Sequence, residues 1–113
     1  MTFKVFYIDD EEMLCENFED QFATDDVEVY TFTDPEESLK QVDAIKPDLL
    51  FIDYRFPDTT GDEVAMRMPP AIPKALITGD IGLSPKYAFI SMLQKPTTAE
   101  QVQQVLDDVC VRR

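Results

Sequence analysis

Residues 3–12 read FKVFYIDDEE: a β-rich apolar run from Phe3 to Ile8 that ends on the pair Asp9-Asp10, with Glu11 and Glu12 directly behind it. A second apolar run, Leu49-Leu50-Phe51-Ile52, ends the same way on Asp53. Unbroken apolar character of this kind fits a strand covered on both faces, as in the interior of a parallel sheet. Ligands of such sheets bind outside the carboxyl ends of the strands, near the switch point. Two buried strands that both release carboxylates at that end therefore point to one acidic pocket.

The rest of the chain alternates in the same rhythm. After the first strand, residues 11–23 place Leu14, Phe18 and Phe22 on one helical face. Residues 27–32 are rich in branched and aromatic side chains, a strand composition. Asp34-Pro35-Glu36-Glu37 is a helix start, with an N-cap, a proline at the first position and acids behind it. That helix buries Leu39, Val42 and Ile45 and stops before Pro47. Strands follow at 49–53, 74–78 and 89–94, with a short helix at 62–68 closed by Pro69-Pro70. Thr97-Thr98-Ala99-Glu100 reads as a capping box for a last helix that buries Val102, Val105, Leu106 and Val109. No stop signal closes that helix at Val111-Arg112-Arg113. Strands alternating with helices give an α/β fold, a doubly wound five-stranded parallel sheet with right-handed crossovers.

The bulk numbers set limits. The 113 residues make one domain, 1–113, with an ordinary 44% apolar content. No apolar stretch reaches membrane-spanning length, and the N-terminus lacks a signal-peptide pattern, so the expected location is cytoplasmic. Ten basic residues against 23 acidic ones give a net charge of −13. That charge repels nucleic acid and anionic membrane, so neither is an expected direct partner. There is no histidine, which excludes imidazole-based catalysis. Cys15 and Cys110 fit no metal or redox spacing and read as two free, partly buried thiols.

Acid pairs alone mean little here, because Asp accounts for 14 residues and Asp-Asp occurs three times. Asp25-Asp26 falls in a turn and Asp107-Asp108 on the last helix opposite its valines; solubility accounts for both. Asp9-Asp10 alone follows a buried strand. Asp53, Thr78 and Lys95 stand at the ends of later strands, and together the five make one candidate site.

With these residues in place, the chain resembles a CheY-like receiver domain of two-component response regulators along essentially its whole length. The likeness rests on YIDDEE, FTDPEESL, LLFIDYRFPDTTG, ALITGD and MLQKP, and most specifically on the spacing of Asp53, Pro57 and Gly61 joined to the acid pair and Lys95-Pro96. It implies the flavodoxin-like strand order 2-1-3-4-5. It also implies a phosphorelay role: Asp53 takes a phosphoryl group from the phosphohistidine of a sensor histidine kinase or phosphotransfer protein, and an unidentified downstream protein reads the result. The domain is then a signalling switch, and catalyses only its own phosphorylation and dephosphorylation. Mg²⁺ is the implied cofactor, with Asp10 and Asp53 as direct ligands, Asp9 acting through water and Arg55 contributing its backbone carbonyl. The chemistry agrees: a carboxylate can carry a phosphoryl group, and Mg²⁺ combines one or two carboxylates with waters and phosphate oxygens. Lys95 would neutralise the phosphoryl oxygens, aimed by a cis bond to Pro96 that the family often has. Thr78 would donate its hydroxyl; its plain alternative is a turn or helix-cap residue. Gly79 leaves room beside it for backbone approach.

Three features depart from the family or add to it. Met92 stands three positions before Lys95, where the family carries an aromatic residue. Phe89 substitutes only if the strand shifts. The ten residues 79–88 are too few for a parallel crossover with a full helix, so the family's fourth helix is expected to be shortened or missing. Arg55 and Asp80, each two residues beyond a site residue, can pair across the pocket mouth and hinder the water that hydrolyses the phosphoryl group; the alternative is two solvated side chains. Two other functions compete. One is a degenerate receiver that binds partners regardless of phosphorylation. The other is a phosphohydrolase of the haloacid-dehalogenase type, which wants an acid two positions after its nucleophile; after Asp53 that position is Arg55, and after Asp9 it is Glu11, but then the partner acids must come from later strands and only Asp53 does.

Overall fold

A computed structural model describes residues 2–111 of the chain. The elements run β1 (Phe3–Ile8), α1 (Glu12–Phe22), β2 (Val27–Phe32), α2 (Pro35–Ile45), β3 (Leu49–Asp53), α3 (Gly61–Arg67), β4 (Lys74–Thr78), β5 (Ser91–Gln94) and α4 (Ala99–Val111). The five strands form one parallel sheet in the order β2-β1-β3-β4-β5, the doubly wound order expected. Residues 112 and 113, where the sequence shows no helix stop, lie outside the described residues.

Strand alternation divides the core. Val5 and Tyr7 of β1, Leu49 and Phe51 of β3, and Ala75 and Ile77 of β4 face one side, where Cys15, Phe18 and Phe22 of α1 and the valine stripe of α4 close over them. Phe6, Ile8, Leu50 and Ile52 face the other side and meet Val42 of α2, Val64 and Ala65 of α3, and Met68 just after it. Every residue of β3 and β4 is buried, which explains why their sequences carry no polar alternation. Leu39 and Ile45 are only partly buried against this second cluster. Cys15 is buried as expected, whereas Cys110 is exposed.

Local signals fix most helix starts. Asp34 accepts the Glu36 amide at 3.0 Å, with Pro35 at the first helical position. The capping box of α4 sits one residue later than the sequence indicates. Thr98 Oγ1 accepts the Gln101 amide at 3.2 Å and Gln101 Oε1 accepts the Thr98 amide at 3.0 Å, so the reciprocal pair is Thr98 and Gln101 rather than Thr97 and Glu100. A glutamine fills the third helical position as well as a glutamate does, and two adjacent threonines left the register undecided.

The largest departure from the ordinary layout lies between β4 and β5. No helix joins them; residues 79–90 form a non-helical strap. Tyr87 and Phe89, in edge contact at 5.0 Å, pack against the α3 side of the core where a helix would otherwise lie. The strap is pinned by charge. Buried Asp62 of α3 accepts the Lys86 amide at 2.8 Å, and the Tyr87 hydroxyl accepts from Lys74 Nζ at 2.9 Å. Lys74 is 2% exposed, and the carbonyls of Pro69 and Ile72 also hold its ammonium, at 2.9 and 2.7 Å. A buried charge is tolerable only when hydrogen-bonded in this way. Because Tyr87 and Phe89 are drawn onto the core, β5 begins at Ser91, two residues later than expected. Met92 stands opposite Leu76 in register, so the strand does not shift and Phe89 does not take its place.

Candidate functional site

The registers of the parallel ladders bring the ends of β1, β3, β4 and β5 to one edge, and Asp9, Asp53, Thr78 and Lys95 with them. Oxygens of Asp9, Asp10 and Asp53 lie within 4.8 Å of one another. Lys95 Nζ lies between two of these acids, 3.1 Å from Asp9 Oδ2 and 3.3 Å from Asp53 Oδ1. Asp9 is fully buried, Asp53 nearly so, and Asp10 is exposed. The Lys95–Pro96 bond is cis.

The buried acids are held differently. Asp9 Oδ1 accepts the Glu11 amide at 3.0 Å, while Oδ2 accepts from Lys95 and from the Tyr7 hydroxyl at 3.2 Å. Asp53 Oδ1 accepts its neighbour's amide, that of Tyr54, at 3.0 Å. Burial, and then the charge of Asp9, push the Asp53 carboxyl up to about 6, against the opposing pull of Lys95 and the Tyr54 amide. Burial also works against the Lys95 ammonium, but Asp53 and Asp9 outweigh it and hold that group above its ordinary range. Cys15 donates to the Asp9 carbonyl at 3.2 Å, and burial raises its thiol to about 11, so it is a packing group rather than a nucleophile.

The donor set fits a hard divalent cation. It is all oxygen and it crowds three carboxylates; Asp53 is raised first by burial and then by the charge of Asp9, and a cation would relieve that second part. Exposed Asp10 leaves one side open to water, as Mg²⁺ requires.

The loop after β3 is built to hold Asp53. Arg55 and Thr60 form an antiparallel bridge, the Gly61 amide donates to the Tyr54 carbonyl at 2.7 Å, and the tip at Pro57-Asp58 is closed by Phe56 N–H to the Thr59 carbonyl at 3.2 Å. Gly61 is required by space. A Cβ there would lie 2.5 Å from the Asp53 carbonyl oxygen and 2.9 Å from Leu76 Cδ1. Any side chain at this position would push α3 away from the strand end that carries Asp53.

At β4, Thr78 is buried and its hydroxyl oxygen accepts the Asp80 amide at 3.0 Å. The turn role is thus present, while the hydroxyl proton stays available for donation. Arg55 and Asp80 do meet, Nη2 to Oδ2 at 2.8 Å. Asp80 Oδ2 is buried and in no hydrogen bond, so the contact is one of charge rather than of a directed bond. Gly79 is not crowded: a Cβ would have nothing within 4 Å, so no backbone uses the room expected beside it.

Two groups escaped the sequence reading. Tyr7 lies two residues before Asp9, so strand alternation puts both on one face of β1; that spacing was the available signal. The Asp62–Lys74–Tyr87 anchor of the strap had no signal, because its members are far apart in sequence and each is an ordinary surface residue type.

The model of the family described as the response regulator receiver domain matches residues 5–107. Among solved structures, a CheY-like response regulator receiver domain from Methylobacillus flagellatus superposes with a TM-score of 0.84 at 18% identity, covering 96% of this chain and 99% of that one. The chemotaxis response regulator CheY4 of Vibrio cholerae gives 0.81 at 24% identity over 96% and 99% of the two chains. The response regulator domain of Thermotoga maritima CheB gives 0.73 at 17% identity over 96% and 94%. A search of curated protein sequences gives no match. No helix among the described residues is long and apolar enough to cross a membrane.

Proposed function

The chain belongs to the response regulator receiver domain family, and from that premise we propose that it is a phosphoacceptor switch in which Asp53 is the group phosphorylated. The carrying observation is Lys95, whose ammonium bridges the buried Asp53 and Asp9 beside the three-carboxylate cluster. An Asp53 oxygen attacks the phosphorus of a partner's phosphohistidine. A P–O bond forms, the P–N bond breaks, and the imidazole leaves with a proton in place of the phosphoryl group. Mg²⁺, held by Asp10 and Asp53 with Asp9 acting through water and Arg55 through its carbonyl, would neutralise charge on the transferring group. Lys95 supplies a second positive charge, and Thr78 a hydroxyl donor. The β3–α3 loop keeps the acceptor fixed, since positioning and charge are most of what this transfer needs.

The partners follow from this chemistry: a histidine kinase or phosphotransfer protein upstream, and a protein target downstream. A phosphorylation-independent binding module is the second reading. It is favoured by Met92, which is 48% exposed with no helix over it, so the family's aromatic reporter has no counterpart here. With Asp53 as nucleophile the phosphohydrolase reading lacks its acid, because Arg55 occupies that position and lies against Asp80.

The deciding experiment exposes the wild type and Asp53→Asn to acetyl phosphate or beryllofluoride with Mg²⁺, with stability and amide spectra as readouts. The switch reading expects a response confined to the wild type. No response in either protein leaves the binding-module reading in possession.

A further inference from the structure

Asp9 Oδ2 serves two donors at once, and only one of them is also needed elsewhere. Lys95 Nζ lies 3.1 Å from this oxygen and 3.3 Å from Asp53 Oδ1, so it is shared between the acids before any phosphoryl group arrives. The Tyr7 hydroxyl donates to the same Oδ2 at 3.2 Å from the core side. Tyr7 is buried, and its ring stacks on Phe18 with centroids 4.2 Å apart and planes 20° apart, which fixes the ring and so keeps the hydroxyl oxygen beside Asp9. The remaining oxygen, Oδ1, is tied to the Glu11 amide.

A fully buried carboxylate strands part of its charge when a donor departs, and losing a charge-assisted partner is expensive. With Lys95 as the only side-chain donor, Asp9 would hold the ammonium back from Asp53. We propose that Tyr7 is a positioning residue: by sharing Asp9 Oδ2 with Lys95, its hydroxyl satisfies the buried acid and lets the ammonium shift toward a phosphoryl group on Asp53. The inference rests on the phosphoacceptor reading above and adds a residue to it.

Tyr7→Phe keeps the ring and its stack on Phe18, and the melting midpoint verifies that the variant is folded. Calorimetric titration with Mg²⁺ alone and ¹⁹F NMR titration with beryllofluoride at saturating Mg²⁺ are run on both proteins. The variant is expected to bind Mg²⁺ as well as the wild type or up to tenfold more tightly, since Asp9 is left with an unmet charge. Its affinity for beryllofluoride is expected to fall at least threefold, because Lys95 is retained on Asp9. A purely structural tyrosine would weaken both ligands together, and that outcome overturns the proposal, as does a smaller fall for beryllofluoride. A wild type that takes up neither ligand removes the phosphoacceptor premise and the inference with it. A wild type that binds both, matched by its variant, removes the inference alone.

Discussion

Replacing Asp53 with asparagine should make the metal-free protein more stable. The Asp53 carboxyl is raised from 3.8 to about 6 in the fold, mainly by burial and by the charge of Asp9. At ~1.4 kcal/mol per pH unit, that shift makes ionising Asp53 cost about 3 kcal/mol more in the folded chain than in the unfolded one. The sign follows from proton counting. Between roughly pH 4 and 6 the folded chain keeps a proton that the unfolded chain has released, so this group's stabilisation is complete below pH 4 and is lost as pH rises through 6. Asparagine cannot ionise and is close to the carboxyl in size. In EDTA at pH 7.5, Asp53→Asn should therefore gain about 2–3 kcal/mol over the wild type, or roughly 8–12 °C in Tm for a domain of this size. At pH 4 the two should agree within about 0.5 kcal/mol. Urea unfolding at both pH values, followed by far-UV circular dichroism, measures the difference. Millimolar Mg²⁺ should then stabilise the wild type and narrow the gap by binding the native state. A gain equal at the two pH values, or no gain at pH 7.5, would refute the reasoning that Asp53 is held charged against its surroundings.

Other residues carry their own expectations. Arg55→Ala opens the contact with Asp80 at the pocket mouth, so autodephosphorylation of the phosphorylated protein should quicken several-fold; an unchanged rate leaves the pair without a role in excluding water. Gly61→Ala brings a methyl against the Asp53 carbonyl and Leu76 and should destabilise by about 1–3 kcal/mol in urea unfolding, with a slower phosphoryl transfer from a small-molecule donor than the stability loss explains. Tyr87→Phe deprives the buried Lys74 ammonium of one of its three oxygen partners; a loss of about 1.5–3 kcal/mol is expected, and a change under about 0.5 kcal/mol would show that the two carbonyls suffice.

How far the sequence carries depends on whether a feature is local. The apolar runs ending at Asp9 and Asp53 could be read because a strand buried on both faces leaves a continuous apolar signature, and the parallel ladders then bring their ends together without further information. Asp34-Pro35 could be read because a cap is settled within four residues. The cap of α4 shifted by one residue because Thr97 and Thr98 offered equivalent hydroxyls, and only the partner's register chose between them. The crossover was too short for a full helix, and that was legible as a length. What replaced the helix was not, since Asp62, Lys74 and Tyr87 meet only once three elements have packed. Tyr7 lies between these cases: its face followed from alternation, but its bond to Asp9 depends on the Phe18 ring that fixes its direction.

The strap between β4 and β5 is fastened at its two ends and bare in the middle. Asp80 ties its start to Thr78 and Arg55, and Asp62 and Lys74 tie its end. Between them Ile81 is 88% exposed and Gly82 turns the chain at φ 78°, outside both hydrophobic clusters and every strand ladder. Exposed loop tips of this sort accept inserted sequence with little penalty. A fluorescent reporter or epitope grafted between residues 81 and 84 would follow directly on the Asp80 contact with Arg55 while leaving the strap's fastenings intact, so the loop is a place to attach a probe of the acidic site.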